Sequence, residues 1–168
     1  MGEQLRALNV PGWNPYLFSG TPFAADPQSG WWYFPAMVFF TVFDPIHAYI
    51  WMTAFHLLLA GLTTYIYARM IGCRAIAAYI AAFLYEFGPL SNHVSCCLIH
   101  VQLAVWIPLA LIGVELSVRA PQSWRSRFAG WSLTAFALSQ LFAGWVGQGA
   151  YYGAVLVAIF IFVRTLWS

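Results

Sequence analysis

Acidic side chains are the first candidates for chemistry in this chain, and Glu86 is the most unusual of them. It lies inside an apolar run, twelve residues after Arg74 and so about 18 Å along a helix. A carboxyl group at that depth of a membrane is costly and by default suggests a substrate or ion site. The alternative is a protonated or hydrogen-bonded Glu86 beside the helix break at Gly88-Pro89.

Three other acids have simpler roles open to them. Asp44 precedes a proline and suits a helix N-cap. Glu115 lies four residues before Arg119, the favourable order for an ion pair on one helix face. Asp26 also precedes a proline, which suits a turn, but its carboxylate could instead hold a divalent cation or a substrate hydroxyl.

The four histidines do not form a metal site. His47 and His56 are nine residues apart and out of phase on a helix, while His93 and His100 are about 10 Å apart along one. His93 and His100 could each bind a phosphate or a polar headgroup; the alternative for each is a satisfied interfacial histidine. No Walker, GxSxG, HExxH or dinucleotide-binding motif is present.

The composition of the chain indicates whether water or lipid surrounds these acidic and histidine side chains. The chain has 168 residues, 62% hydrophobic and 7% charged, whereas soluble domains carry roughly 25% charged residues. So little charge cannot cover a globular surface, and we expect lipid around most of the chain. A net charge of +2 without a basic run also argues against a nucleic-acid partner.

The apolar runs predict an all-α membrane protein with about five transmembrane helices after an irregular external loop. We expect a loop over 1–44, ending in an interfacial aromatic segment over 31–43, and a helical domain over 45–168. Three prolines and two glycines within 13–30 exclude long regular elements from the loop. The predicted spans are approximately 46–68, 75–91, 97–117, 128–145 and 148–166.

Arginine predicts the orientation, because cytoplasmic loops are enriched in basic residues. The loops between spans one and two and between three and four, and the end of span five, would lie on the cytoplasmic side. The loop over 1–44 would be external. The arginines that give this pattern are Arg69, Arg74, Arg119, Arg125, Arg127 and Arg164.

A translocated segment of 44 residues without a preceding apolar run is unusual. A short, nearly uncharged tail can cross unaided, but we favour an upstream helix that belongs to a longer protein. On that interpretation the chain is a fragment.

A long motif carries a family resemblance. The stretch WNPYLFSGTPFAADPQSGWWYFP resembles a segment of the YfhO-like branch of the GT-C glycosyltransferase superfamily, which are bacterial multi-pass membrane proteins. His100 with Trp106-Ile107-Pro108-Leu109 resembles a second family segment, and Gly144 to Tyr151 loosely resembles a third. The matching positions of the first are Trp13, Asn14, Pro15, Tyr16, Phe18, Gly20, Pro22, Phe23, Ala25, Pro27, Gln28, Ser29, Gly30, Tyr33 and Pro35.

The resemblance implies a GT-C fold and transfer of a sugar from a polyprenyl-phosphate carrier at the outer face of the bacterial cytoplasmic membrane. The partners would be membrane lipid and the polyprenyl-phosphate-sugar donor. The family's acid usually lies in the early part of the external loop, which this chain lacks, so Asp26 is a substitute catalytic candidate and the isolated chain should be inactive. The substrate-binding candidates are Asn14, Gln28, Ser29, Glu86, His93 and His100.

Two other functions stay open at this point. The chain could be a non-catalytic membrane scaffold subunit, or a transporter piece with Glu86 in an ion or proton path. A transporter should contain repeats with interrupted helices in matching positions, and the five predicted spans show none. No cofactor is required by the residues, although a divalent cation would suit Asp26.

Overall fold

The computed structural model describes residues 1–88, 98–119 and 123–167, and these residues are mostly helical. The predicted helical class is confirmed. A two-stranded antiparallel hairpin interrupts the opening loop. In chain order the elements are α1 (Gly2–Arg6), β1 (Trp13–Asn14), β2 (Thr21–Pro22), α2 (Phe34–Val42), α3 (Pro45–Met70), α4 (Ala75–Phe87), α5 (Leu98–Ala104), α6 (Trp106–Val118), α7 (Trp124–Gly144) and α8 (Gln148–Leu166).

The opening loop is ordered by the hairpin, in which Trp13 pairs with Pro22 and Asn14 with Thr21. Its turn requires Gly20, whose φ of +111° lies in the region that other residues rarely adopt. A Cβ at Gly20 would also lie 2.6 Å from the indole of Trp13. The glycine therefore lets the turn close against the tryptophan ring.

Helices α2 and α3 form an antiparallel pair. The Asp44 carboxylate accepts hydrogen bonds from the first free backbone N–H groups of α3, as an N-cap should, and this confirms its predicted role. Phe39 of α2 contacts Phe55, and Phe43 contacts Trp51. The aromatic segment therefore runs alongside the first turns of α3.

The break between α5 and α6 follows from Pro108. Proline has no backbone N–H, so the carbonyl of Ala104, four residues earlier, loses its helical donor. The Tyr85 hydroxyl of α4 donates to that carbonyl at 2.8 Å. The Ala104 carbonyl, which Pro108 leaves without a helical donor, thus connects α4 to the centre of the bundle.

Helices α6 and α7 approach closely because small residues face each other. A Cβ at Gly113 would lie 2.6 Å from the carbonyl oxygen of Gly130. The Thr134 hydroxyl donates across the interface to the Ala110 carbonyl at 3.2 Å. Small residues and hydroxyl bonds of this kind hold helices together where lipid removes the hydrophobic driving force.

Among the described residues, three helical segments are long and apolar enough to cross a membrane: Pro45–Met70, His100–Val118 and Gln148–Leu166. The chain thus has the helices of a membrane protein. Of the other two predicted spans, α4 has 13 residues and is about 20 Å long, less than the roughly 30 Å hydrocarbon layer. Helix α7 starts at Trp124, four residues before its predicted start, and its Ser, Gly, Thr and Gln residues lower its hydropathy.

The bundle has two distinct ends. At the arginine end, Arg119 after α6 donates to the backbone carbonyl of Met70 at the end of α3. The starts of α4 and α7 and the end of α8 lie at this same end. At the loop end, the opening loop packs over the start of α3 and the end of α7.

Candidate functional site

Tyr33 anchors the opening loop inside the bundle. It precedes α2, is 1% exposed, and reaches His56 of α3 and Trp106 of α6. The Trp106 indole N–H donates to the Tyr33 oxygen at 2.8 Å. His56 lies fourteen residues before Met70, so this contact is about 21 Å from the arginine end along α3.

The direction of each hydrogen bond in this relay follows from the donors and acceptors available. A carbonyl only accepts, so His56 Nδ1 must donate to the Met52 oxygen. In the neutral ring His56 Nε2 then accepts, and the Tyr33 hydroxyl donates to it. Burial raises the pKa of Tyr33 well above its ordinary value, only partly offset by the bond from Trp106, so this donor keeps its proton.

A cavity of about 370 Å³ opens beside Tyr33, between the opening loop and the helices. We call it the loop cavity. Its walls come from the loop, α2, α3, α5 and the end of α7. The lining residues are Met1, Phe23, Gln28, Ser29, Gly30, Tyr33, Ala36, Phe40, Met52, Gln102 and Gly144.

The polar groups of the loop cavity differ in whether they already form hydrogen bonds within the protein. Ser29 Oγ donates to the Asp26 carbonyl at 2.8 Å. The Gln102 side chain is 9% exposed and forms no hydrogen bond with any described residue. The Gln102 amide is not among the fully buried side-chain groups without a partner, so it reaches the loop cavity and is available to a polar ligand group.

Two contacts keep the loop close to the end of α7. The backbone N–H of Phe34 donates to Gln140 Oε1 at 3.0 Å. Gly30 adopts φ +66°, and a Cβ there would lie 3.7 Å from the carbonyl oxygen of Gly144. Segments more than 100 residues apart in sequence therefore share one wall of the cavity.

The predicted substrate-binding residues divide between several places. Gln28 and Ser29 line the loop cavity. Asn14 lines a separate hollow of about 380 Å³ near α1, and its side-chain oxygen accepts from the Tyr16 N–H at 3.0 Å. His100 is exposed on α5 and does not line the loop cavity. His93 lies outside the described residues.

Asp26 does not face the loop cavity. Its carboxylate accepts from the backbone N–H of Gln28 at 2.8 Å, which is the hydrogen bond of a local turn. It borders a different surface hollow, together with Phe18 and Thr21. The structure therefore gives Asp26 a turn-forming contact, and its catalytic role stays a prediction.

Metal binding has no support in the parts of the chain at 1–88, 98–119 and 123–167. No group of three His, Cys, Asp or Glu side chains there is close enough to hold an ion. Asp26 has no second acidic or histidine ligand in its hollow.

Glu115 organises the arginine end. It is 2% exposed, and Arg164 of α8 binds both of its carboxylate oxygens, at 2.6 and 3.0 Å. Arg119 binds it at 3.2 Å, which confirms the predicted i,i+4 pair. Because Arg119 also bonds Met70, one carboxylate connects α3, α6 and α8.

Sequence reasoning missed several of these partners. Gln102, Gln140 and His56 are polar residues within apolar helices, a signal that marks groups needing an internal partner. Gln140 and His56 find such partners far away in sequence, in the backbone N–H of Phe34 and the Tyr33 hydroxyl. Arg164 was assigned only to orientation, although it lies within reach of a buried carboxylate.

Comparison with known proteins returned no similarity. No protein-family model matches the chain, and neither a curated protein nor a solved structure does. What the chain does must therefore be inferred from its own residues and their contacts.

Proposed function

We propose that this chain is part of a GT-C-type membrane glycosyltransferase and that the loop cavity receives its polyprenyl-phosphate carrier. One observation supports this most. Two of the segments that resemble the family supply matching residues to the cavity: the first supplies Gln28, Ser29 and Tyr33, and the third supplies Gly144. The second segment reaches the cavity through Gln102, which lies between His100 and Trp106 and is not itself a matching position.

The lining suits a lipid-linked phosphate. Phe40 and Met52 offer an apolar wall to isoprenoid units. The Gln102 amide, which has no partner among the described residues, offers N–H donors to phosphate oxygens, with Gln28 beside the same space. Tyr33 holds the loop over this wall, so the relay with Trp106 positions the cavity rather than binding the carrier.

The membrane arrangement that we propose has five spans, with 1–44 at the outer face of the bacterial cytoplasmic membrane. The arginines at the ends of α3, α6 and α8 support it, since they gather at the end opposite the loop. Helices α4 and α7 would complete the five. A carrier entering sideways from lipid would then reach the cavity from the outer half of the membrane.

The test is a titration of the chain, reconstituted in nanodiscs, with polyprenyl phosphate. We expect the double variant Ser29→Ala, Gln102→Leu to bind about tenfold more weakly, equivalent to about 1.4 kcal/mol. Asn14→Ala, which alters a different hollow, should bind like the original chain. An unchanged dissociation constant in the double variant, with an unchanged melting temperature, would contradict the proposal.

The catalytic candidate needs a separate assay. Sugar transfer by the glycosyltransferase of which we propose this chain is part, with and without Asp26→Asn, tests whether Asp26 or a cation held by it takes part. Unchanged transfer would remove Asp26 from the site. We expect the 168-residue chain alone to bind carrier without transferring sugar.

A scaffold role is the second candidate, and one observation favours it. The Asp26 carboxylate is already engaged in a turn and faces away from the loop cavity. A scaffold would bind no carrier, so the same titration distinguishes the two functions.

A further inference from the structure

Glu86 lies against Gly61 at a groove that is distinct from the loop cavity. Its carboxylate rests on Gly61 of α3, where a Cβ would collide with Glu86 Oε2. The glycine therefore makes room for the carboxylate. Glu86 is half-buried and forms no hydrogen bond or ion pair with a described residue.

This carboxylate lies on a groove between α3 and α4, with a volume of about 380 Å³. The groove shares no lining residue with the loop cavity, so the inference rests on the proposed membrane arrangement but not on the proposed glycosyltransferase activity. Both walls follow helical spacing and extend for about two turns, or 11 Å. They are formed mainly by Leu58, Leu62 and Tyr65 of α3 and by Tyr79, Phe83 and Phe87 of α4.

In the membrane arrangement proposed above, Glu86 and Gly61 lie near the middle of the hydrocarbon layer. Glu86 is about 18 Å along α4 from Arg74, and Gly61 is about 14 Å along α3 from Met70. With the arginine end at one boundary, these lengths reach about half of a 30 Å hydrocarbon layer. A lipid headgroup stays at the edge of that layer, so its amine would not reach Glu86.

The described residues supply no lysine or arginine partner at this depth. It contains seven arginines and no lysine; six arginines lie at or near the arginine end, and Arg6 bonds Thr41 in the opening loop. An unpaired carboxylate in lipid is expensive, and a cation beside it offsets that cost. A lysine or arginine that faces Glu86 would therefore have to come from another molecule.

We propose that the groove binds a transmembrane helix of a partner protein that carries one Lys or Arg facing Glu86. The two apolar walls match the length and ridge spacing of a packed helix. The single carboxylate selects a helix with a cation at mid-depth and disfavours a purely apolar one. A basic side chain can be held at that depth by its own helix, which a lipid amine cannot.

The experiment uses the chain in lipid vesicles, an acceptor dye on its N terminus, and donor-labelled synthetic Leu/Ala helices. One peptide has Lys at its centre, one has Leu there, and one has Lys near an end. Energy transfer should show at least about tenfold tighter binding of the central-Lys peptide than of the other two. Glu86→Gln should abolish that preference, and Glu3→Gln, at an exposed position of α1, should leave it intact.

A second variant tests the contact between Glu86 and Gly61 without unfolding the chain. Gly61→Ala keeps the apolar walls but displaces the carboxylate, so it should weaken the preference while the melting temperature stays near that of the original chain. Equal binding of all peptides, or a preference that survives Glu86→Gln, would overturn the proposal. Glu86-dependent binding of a long-chain alkylammonium with no preference among the peptides would also overturn it.

Discussion

The two ends of the helix bundle bury polar groups in different ways. At the loop end, the indole of Trp106, the Tyr33 hydroxyl and the His56 ring form a relay of neutral hydrogen bonds. At the arginine end, the Glu115 carboxylate is shared by Arg164 and Arg119. Both arrangements join elements far apart in sequence.

The neutral hydrogen bonds and the ion network suit different structural requirements at the two ends. Neutral hydrogen bonds fix the orientation of their side chains without the large desolvation cost of a buried charge. They therefore suit the anchoring of a loop beside a cavity. An ion network includes that desolvation cost, so the stability of the protein becomes very sensitive to the loss of one charged member. It can be sustained where the arginines stay partly exposed, and here they are 41% and 31% exposed.

The largest expected effect comes from breaking the ion network. Glu115→Ala should lower the free energy of unfolding by about 3 kcal/mol, because it leaves two arginines without their shared carboxylate. Chemical unfolding in detergent measures it, with Glu3→Ala as the control. Arg164→Ala should cost more than Arg119→Ala, since Arg164 binds both oxygens of the buried carboxylate and Arg119 binds only one of them; the reverse order would contradict the described roles.

The neutral relay should give a smaller loss. Tyr33→Phe leaves His56 Nε2 without a donor and the Trp106 N–H without an acceptor, so we expect about 2 kcal/mol of destabilisation. Tyr16→Phe is a matched control because that side chain is 92% exposed. A loss no greater than that of Tyr16→Phe would show that the relay does not anchor the loop.

The smallest effect belongs to an exposed pair at the loop end. His47 lies 2.5 Å from Asp44, and its hydrogen bond holds the pKa of that carboxyl below the ordinary value. The contribution to stability is therefore complete above the ordinary Asp pKa and disappears as pH falls through the lowered one. Melting temperatures of the original chain and Asp44→Asn should differ slightly at pH 7 and converge in acid; a difference that grows in acid would contradict this.

Interactions between residues close in sequence could be predicted from the sequence, whereas contacts between residues distant in sequence could not. The Asp44 cap and the Glu115–Arg119 pair lie within a few residues, where helical geometry decides which side chains meet. Tyr33 and Trp106 are 73 residues apart, and Glu115 and Arg164 are 49 apart. Those pairs depend on how the helices pack, which the apolar pattern alone does not determine.

The candidate site shows the same division. Gln28 and Ser29 were predicted from a contiguous motif and do line the loop cavity, whereas Gln102 was overlooked on an apolar helix. Asp26 was selected for its charge and its exposed position, but the local turn directs its carboxylate to a neighbouring backbone N–H. A side chain's type predicts its chemistry, and only the fold decides what it faces.

Photolabelling with a reactive polyprenyl phosphate tests the central claim most directly. The chain in nanodiscs would be labelled, digested and mapped by mass spectrometry, beside Gly144→Leu, whose added side chain enters the loop cavity next to Tyr33. We predict labelled peptides from both 28–33 and α5, and much less of either in the variant. Labelling confined to the Glu86 groove, or undiminished in Gly144→Leu, would contradict the assignment of the loop cavity as the carrier site.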